Sequence, residues 1–177
     1  IGDTIYLLDE MTASIYSFDM KDGKRISCIC KKGNGPNEYV NPVALSTDLG
    51  KLYVLDMPTS RIIEFDKSLN AIRDLKFNFP SSDFIAINTG FLLYNLVPNS
   101  KLNKYVYLNN KGEYITSFIP VDKNYSPNNN SFGNLGKSFV KDEYERVFVS
   151  ESYRNIIYKW EKEELIPFYR IDFGKLN

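Results

Sequence analysis

Short apolar runs alternate along the chain with clusters of Asp, Asn, Gly and Lys. This pattern predicts β-strands joined by turns, since a helix would need a longer stretch with apolar positions three and four apart. Two stretches copy each other at an offset of 47 residues. Ile5-Tyr6-Leu7-Leu8-Asp9 returns as Leu52-Tyr53-Val54-Leu55-Asp56, and Ile15-Tyr16-Ser17-Phe18-Asp19 returns as Ile62-Ile63-Glu64-Phe65-Asp66. A period of about 40–50 residues, with several short strands in each unit, is the signature of a β-propeller blade. The expected fold is therefore all-β, a single partial β-propeller over residues 1–177. Its four-stranded antiparallel blades lie near 3–30, 41–77, 84–119 and 137–173.

Within that frame the strands are expected at 3–9, 15–19 and 24–30; at 41–47, 51–56, 61–66 and 70–77; at 84–88, 91–97, 105–109 and 113–119; and at 137–141, 146–151, 156–161 and 165–173. Met20-Lys21-Asp22-Gly23 and Asn110-Lys111-Gly112 read as hairpin turns whose glycine accepts a positive φ. No convincing helix is found; the charged segment 159–164 occupies a hairpin position. The first blade has only three strands, because no innermost strand precedes Asp3. Either further sequence completes the ring or its open edges pair with another chain.

Two connections are irregular. Residues 31–40 contain Gly33-Asn34-Gly35-Pro36-Asn37-Glu38, which lacks the spacing of a phosphate-binding loop and reads as a tight inter-blade turn. Residues 121–136 are polar and rich in Asn, Ser, Gly and Pro, an insertion of the length that is either functional or mobile.

Composition narrows the chemistry. Lys and Arg total 22, as do Asp and Glu, so no net field draws in nucleic acid or an anionic membrane. The chain has no histidine, which excludes Ser–His and Cys–His catalysis and removes the commonest metal ligand. Cys28 and Cys30 point to one face of a strand about 7 Å apart and are expected to be free, buried thiols. They lack the further ligands of a zinc site. Neither a metal nor a cofactor is called for. No run is long enough to span a membrane as a helix.

The Gly33-x-Gly35-Pro36-x-Glu38 turn, the Tyr-x-x-Asp strand ends at Asp9 and Asp56, Phe18-Asp19, Phe65-Asp66 and the closing Tyr169-Arg170-Ile171-Asp172-Phe173-Gly174 together resemble the six-bladed β-propeller proteins of Bacteroidetes. That family is distantly similar to NHL-repeat propellers and is often found as lipoproteins of the cell envelope. The resemblance covers nearly the whole chain. It implies the fold, an envelope address (periplasm or outer-membrane lipoprotein) and a lipid anchor on a missing N-terminal segment, with no common activity. A complete member would need about two further blades.

Strand reversal places the blade-to-blade connections and the second-to-third-strand turns on one face. Asp9, Glu10, Asn34, Glu38, Asp56, Arg61, Glu151, Tyr153 and Arg154 are the candidate ligand-binding residues there, with acids and arginines to orient a ligand and rings to stack on it. The bland alternative makes Asp9 and Asp56 turn caps, leaves Arg61 and Arg154 in solvent and packs Tyr153 on a loop. The first functional expectation is a non-catalytic module that binds a protein, peptide or glycan. The others are a carbohydrate-active hydrolase or lyase using two opposed carboxylates, and an assembly module self-associating through blade edges. Residues that repeat because the blade repeats argue against catalysis, and no catalytic residue is assigned.

Overall fold

The computed structural model describes residues 3–98, 101–120, 138–150 and 155–174. The chain divides into two compact units, Ile1–Lys123 and Asn124–Asn177. Among the described residues the regular elements are antiparallel strands, fifteen in all, with no helix. In the first unit, β1 (Thr4–Asp9), β2 (Ser14–Asp19) and β3 (Arg25–Ile29) form a three-stranded sheet. β4 (Pro42–Asp48), β5 (Lys51–Asp56), β6 (Arg61–Phe65) and β7 (Ala71–Lys76) form a second sheet. β8 (Ser81–Ile87), β9 (Gly90–Asn95), β10 (Tyr105–Asn109) and β11 (Tyr114–Phe118) form a third. The second unit holds β12 (Phe139–Lys141), β13 (Val147–Ser150), β14 (Ile156–Glu161) and β15 (Glu164–Arg170). Each sheet is an up-and-down meander in sequence order.

Two apolar layers hold the first unit together. Ile15 of the first sheet meets Leu52, Val54, Ile63 and Phe65 of the second, with Tyr39 between them and Tyr6, Leu8 and Ile29 at the margin. On the other side of the second sheet, Tyr53, Leu55, Ile62 and Leu75 meet Phe84, Ala86, Phe91, Leu93, Val106 and Leu108 of the third. Central strands covered on both faces lose the apolar–polar alternation, and β5 and β6 are buried along almost their whole length. Each fully buried Leu, Ile, Val or Phe contributes about 1.5–3 kcal/mol.

One hairpin recurs on this scaffold. Asp66, Asn109 and Asp142 each end or directly follow a strand, and each side chain accepts the N–H groups two and four residues on. The residue three on adopts a positive φ: Leu69, Gly112 and Glu145. Gly23 closes the β2–β3 turn by donating to the Asp19 carbonyl at 2.9 Å.

The strands lie where the pattern predicts, with differences that have local causes. β8 starts at Ser81 because a bulge lets Ser81 pair with Asn95. β15 stops at Arg170 because its partner strand begins at Ile156, which leaves 171–174 outside the sheet. The cysteines correct an expectation: both are free, yet both are exposed rather than buried. Cys28 is carried by the edge strand β3, and Cys30 follows its end; their side of that strand meets no other sheet of the unit. The insertion at 121–136 lies outside the described residues.

Candidate functional site

In the first unit Asp9 ends β1, Asp56 ends β5 and Asn95 ends β9, and each uses its side chain to shape the turn that follows. Asp9 accepts the N–H of Met11 at 3.0 Å and the Thr12 hydroxyl at 2.7 Å. These bonds, the hydroxyl's first, hold its carboxyl below the usual carboxylate range. Asp56 accepts the Thr59 hydroxyl through Oδ2, and Thr12 and Thr59 share the 47-residue offset. Asn95 Oδ1 accepts from Val97 N–H at 3.1 Å, while its amide donates to the Asn103 carbonyl at 3.1 Å.

The second repeat differs from the first at one decisive position. Ser14 opens β2, whereas Arg61 opens β6, and Arg61 is only 4% exposed. Its Nη1 donates to Asp74 Oδ2 at 2.9 Å, and its Nη2 donates to the Glu38 carbonyl at 2.8 Å. Nε donates to Thr59 Oγ1 at 2.9 Å. Weaker contacts at 3.5 Å reach the Gly35 carbonyl and Asp56 Oδ2. Asp56, fully buried, accepts the N–H groups of Asn41 at 2.8 Å and Val40 at 3.1 Å through Oδ1. A buried arginine between two carboxylates thus holds the loop at 31–41 from below.

The loop is also folded on itself. Glu38 reaches back so that its Oε2 accepts the Gly35 N–H at 2.8 Å, and a Cβ at Gly33 would overlap the same carboxylate. The Gly-x-Gly-x-x-Glu spacing brings the Glu38 carboxylate onto the Gly35 N–H, and a side chain at Gly33 would push that carboxylate aside. Asn37 takes φ 63°, a conformation Asn tolerates. Tyr39, wholly buried, accepts the Lys31 N–H at 3.1 Å. Burial, its largest influence, pushes the phenol upward.

Strand direction puts the β1–β2 and β5–β6 turns and the loop at 31–41 on one face of the first unit. Asp56, Arg61 and the Glu38 backbone converge there, but their polar groups are turned inward. Asn34 and Glu10 stay exposed. Glu151, Tyr153 and Arg154 lie outside the described residues. The alternative of a solvated Arg61 is overturned by its burial and its bonds. Thr12, Thr59, Asp74, Tyr39 and Asn95 belong to this architecture and were not singled out from sequence. Only the threonines carried a signal, their shared offset.

Solved structures resemble this chain at low sequence identity. A protein of Bacteroides fragilis NCTC 9343 assigned as exported matches with a TM-score of 0.80 at 15% identity, over 96% of this chain and 48% of its own. A member of the DUF4221 family from Bacteroides vulgatus gives 0.62 at 13% identity, over 98% and 56%. The β-propeller domain of Cps50 (Swd1) from Myceliophteria thermophila gives 0.53 at 10% identity, over 97% and 58%. The fold is that of a β-propeller, and the chain spans about half the length of the structures it matches. A search of curated protein sequences finds no match. Along its entire length, residues 1–177, the sequence fits the family described as Domain of unknown function (DUF4934), and the chain belongs to that family.

Proposed function

We propose that this chain is part of a non-catalytic, six-bladed propeller of the bacterial cell envelope that recognises a protein, peptide or glycan through the face carrying the inter-blade loops. The observation that carries the reading is that the buried Asp56–Arg61 pair, with the half-buried Asp74, is spent on one loop whose Asn34 is exposed. A loop fixed before a ligand arrives loses little conformational freedom on binding, which is what preorganised recognition requires. In this reading Asn34 and Glu10 touch the ligand, with Asp9, Glu38, Asp56 and Arg61 setting the shape behind them. Glu151, Tyr153 and Arg154 extend the same candidate set. The likeness to an exported Bacteroides protein supports the envelope address.

The test is calorimetric titration of a panel of soluble glycans and peptides. Asn34→Ala should weaken binding without changing the melting temperature, while Arg61→Ala should lower both. A panel with no binder, or a binder indifferent to both substitutions, would sink the proposal.

A further inference from the structure

Asn34–Gly35 is the one Asn–Gly pair in the 177 residues. Such a pair carries its own reaction, because glycine puts no side chain between its backbone nitrogen and the asparagine amide before it. The Gly35 nitrogen gives up its proton and bonds to Asn34 Cγ; the Cγ–Nδ2 bond breaks and ammonia leaves. Water then opens the succinimide at either carbonyl. The product is aspartate or isoaspartate at position 34, and no oxidant or cofactor takes part.

The loop treats the two reacting groups differently. The Asn34 side chain is exposed, and no side-chain hydrogen bond among the described residues holds it. The Gly35 nitrogen is occupied, its N–H donating to Glu38 Oε2 at 2.8 Å. A carboxylate facing that N–H opposes loss of the proton, since two negative charges would then stand side by side. The chain is also pinned on both sides of Asn34. Gly33 N–H donates to the Tyr39 carbonyl at 2.9 Å, and the Gly35 carbonyl accepts the Glu38 N–H at 3.2 Å and Arg61 Nη1 at 3.5 Å. The same glycine that bares the nitrogen makes room for its guard, because a Cβ at Gly35 would stand 2.9 Å from Glu38 Oε2.

We propose that Asn34 is a latent self-modification site, kept closed by the Glu38 carboxylate that the Arg61 cluster seats. Opening of the loop frees the Gly35 nitrogen and converts Asn34. Conversion puts a negative charge on the exposed side of the loop, and isoaspartate also adds Cβ to the backbone there. The inference rests on the loop's own chemistry and does not depend on its having a ligand.

The test is peptide mass spectrometry of the 177-residue chain held at mildly alkaline pH, reading the amide-to-acid mass gain and isoaspartate at residue 34. Conversion in the folded wild type should be at least about tenfold slower than in the same chain unfolded in urea, the factor that one charge-assisted hydrogen bond supplies. That comparison needs no variant to fold. Glu38→Ala should quicken conversion in the folded state by about the same factor, and the nearly isosteric Glu38→Gln by less, because its amide oxygen still accepts. Gly90→Ala, whose Cβ would meet the Leu108 carbonyl in the third sheet, should leave the rate alone. Conversion as fast in the folded as in the unfolded wild type overturns the proposal. So does a rate that neither Glu38 variant raises, or a Gly90→Ala rate as high as that of Glu38→Ala, which would assign the control to global unfolding.

Discussion

Gly90 opens β9 at φ 153°, and a Cβ there would meet the Leu108 carbonyl of the neighbouring strand. Gly90→Ala should therefore cost about 2–3 kcal/mol in urea denaturation, since backbone cannot yield as a side-chain tip can. Glu64 illustrates competing influences. Burial opposes its ionisation, but Lys51 and Arg73, each 2.6 Å from a carboxylate oxygen, outweigh it and hold the carboxyl below the ordinary glutamate value of 4.5. Folding thus favours the charged form. Its stabilisation is complete above about pH 4.5 and disappears as acid takes the pH through the lowered folded value. The melting temperature of the wild type should fall more steeply below that pH than that of Glu64→Gln. Nearby Tyr53 is pushed up to about 12, by burial first and by the Glu64 charge second.

Among the elements, the β12–β13 hairpin places Glu145 at φ 60°, where an L side chain costs about 1–2 kcal/mol. Glu145→Gly should raise the melting temperature, with a net gain near 0.5–1 kcal/mol after the entropy of glycine is subtracted. The Lys141–Glu145 pair it sacrifices reaches a Glu145 side chain that is 75% exposed, and such pairs are worth little. Arg61→Met should act in the other direction, costing about 3 kcal/mol by stranding the carboxylates of Asp56 and Asp74. Amide exchange at Val40 and Asn41 should accelerate in that variant. The sequence shows which strands form and where this loop lies, with ends off by a few residues in β8 and β15, because alternation and turn residues are local signals. It does not show that Arg61 meets Asp74, which lies diagonally across the β6–β7 ladder in a register altered by a bulge beside Glu64. Nor does it show that Cys28 and Cys30 are exposed, since the burial of a strand face depends on what packs against it.

For the whole molecule, 22 positive and 22 negative side chains leave no net charge, so no long-range field of one sign steers a charged partner towards it. The clamp under the inter-sheet loop has a consequence for the order in which the chain acquires its shape. Its donors and acceptors come from Gly35, Glu38, Asp56, Arg61 and Asp74, and Asn37 is 37 residues from its Asp74 acceptor. Synthesis runs from the N-terminus, so the ribosome releases the loop well before the last of its supports. Until β7 has emerged and paired, the loop lacks the contacts that Asp74 gives Asn37 and Arg61. A pause in translation before residue 74 would prolong the interval in which the loop and Arg61 lack their Asp74 acceptor.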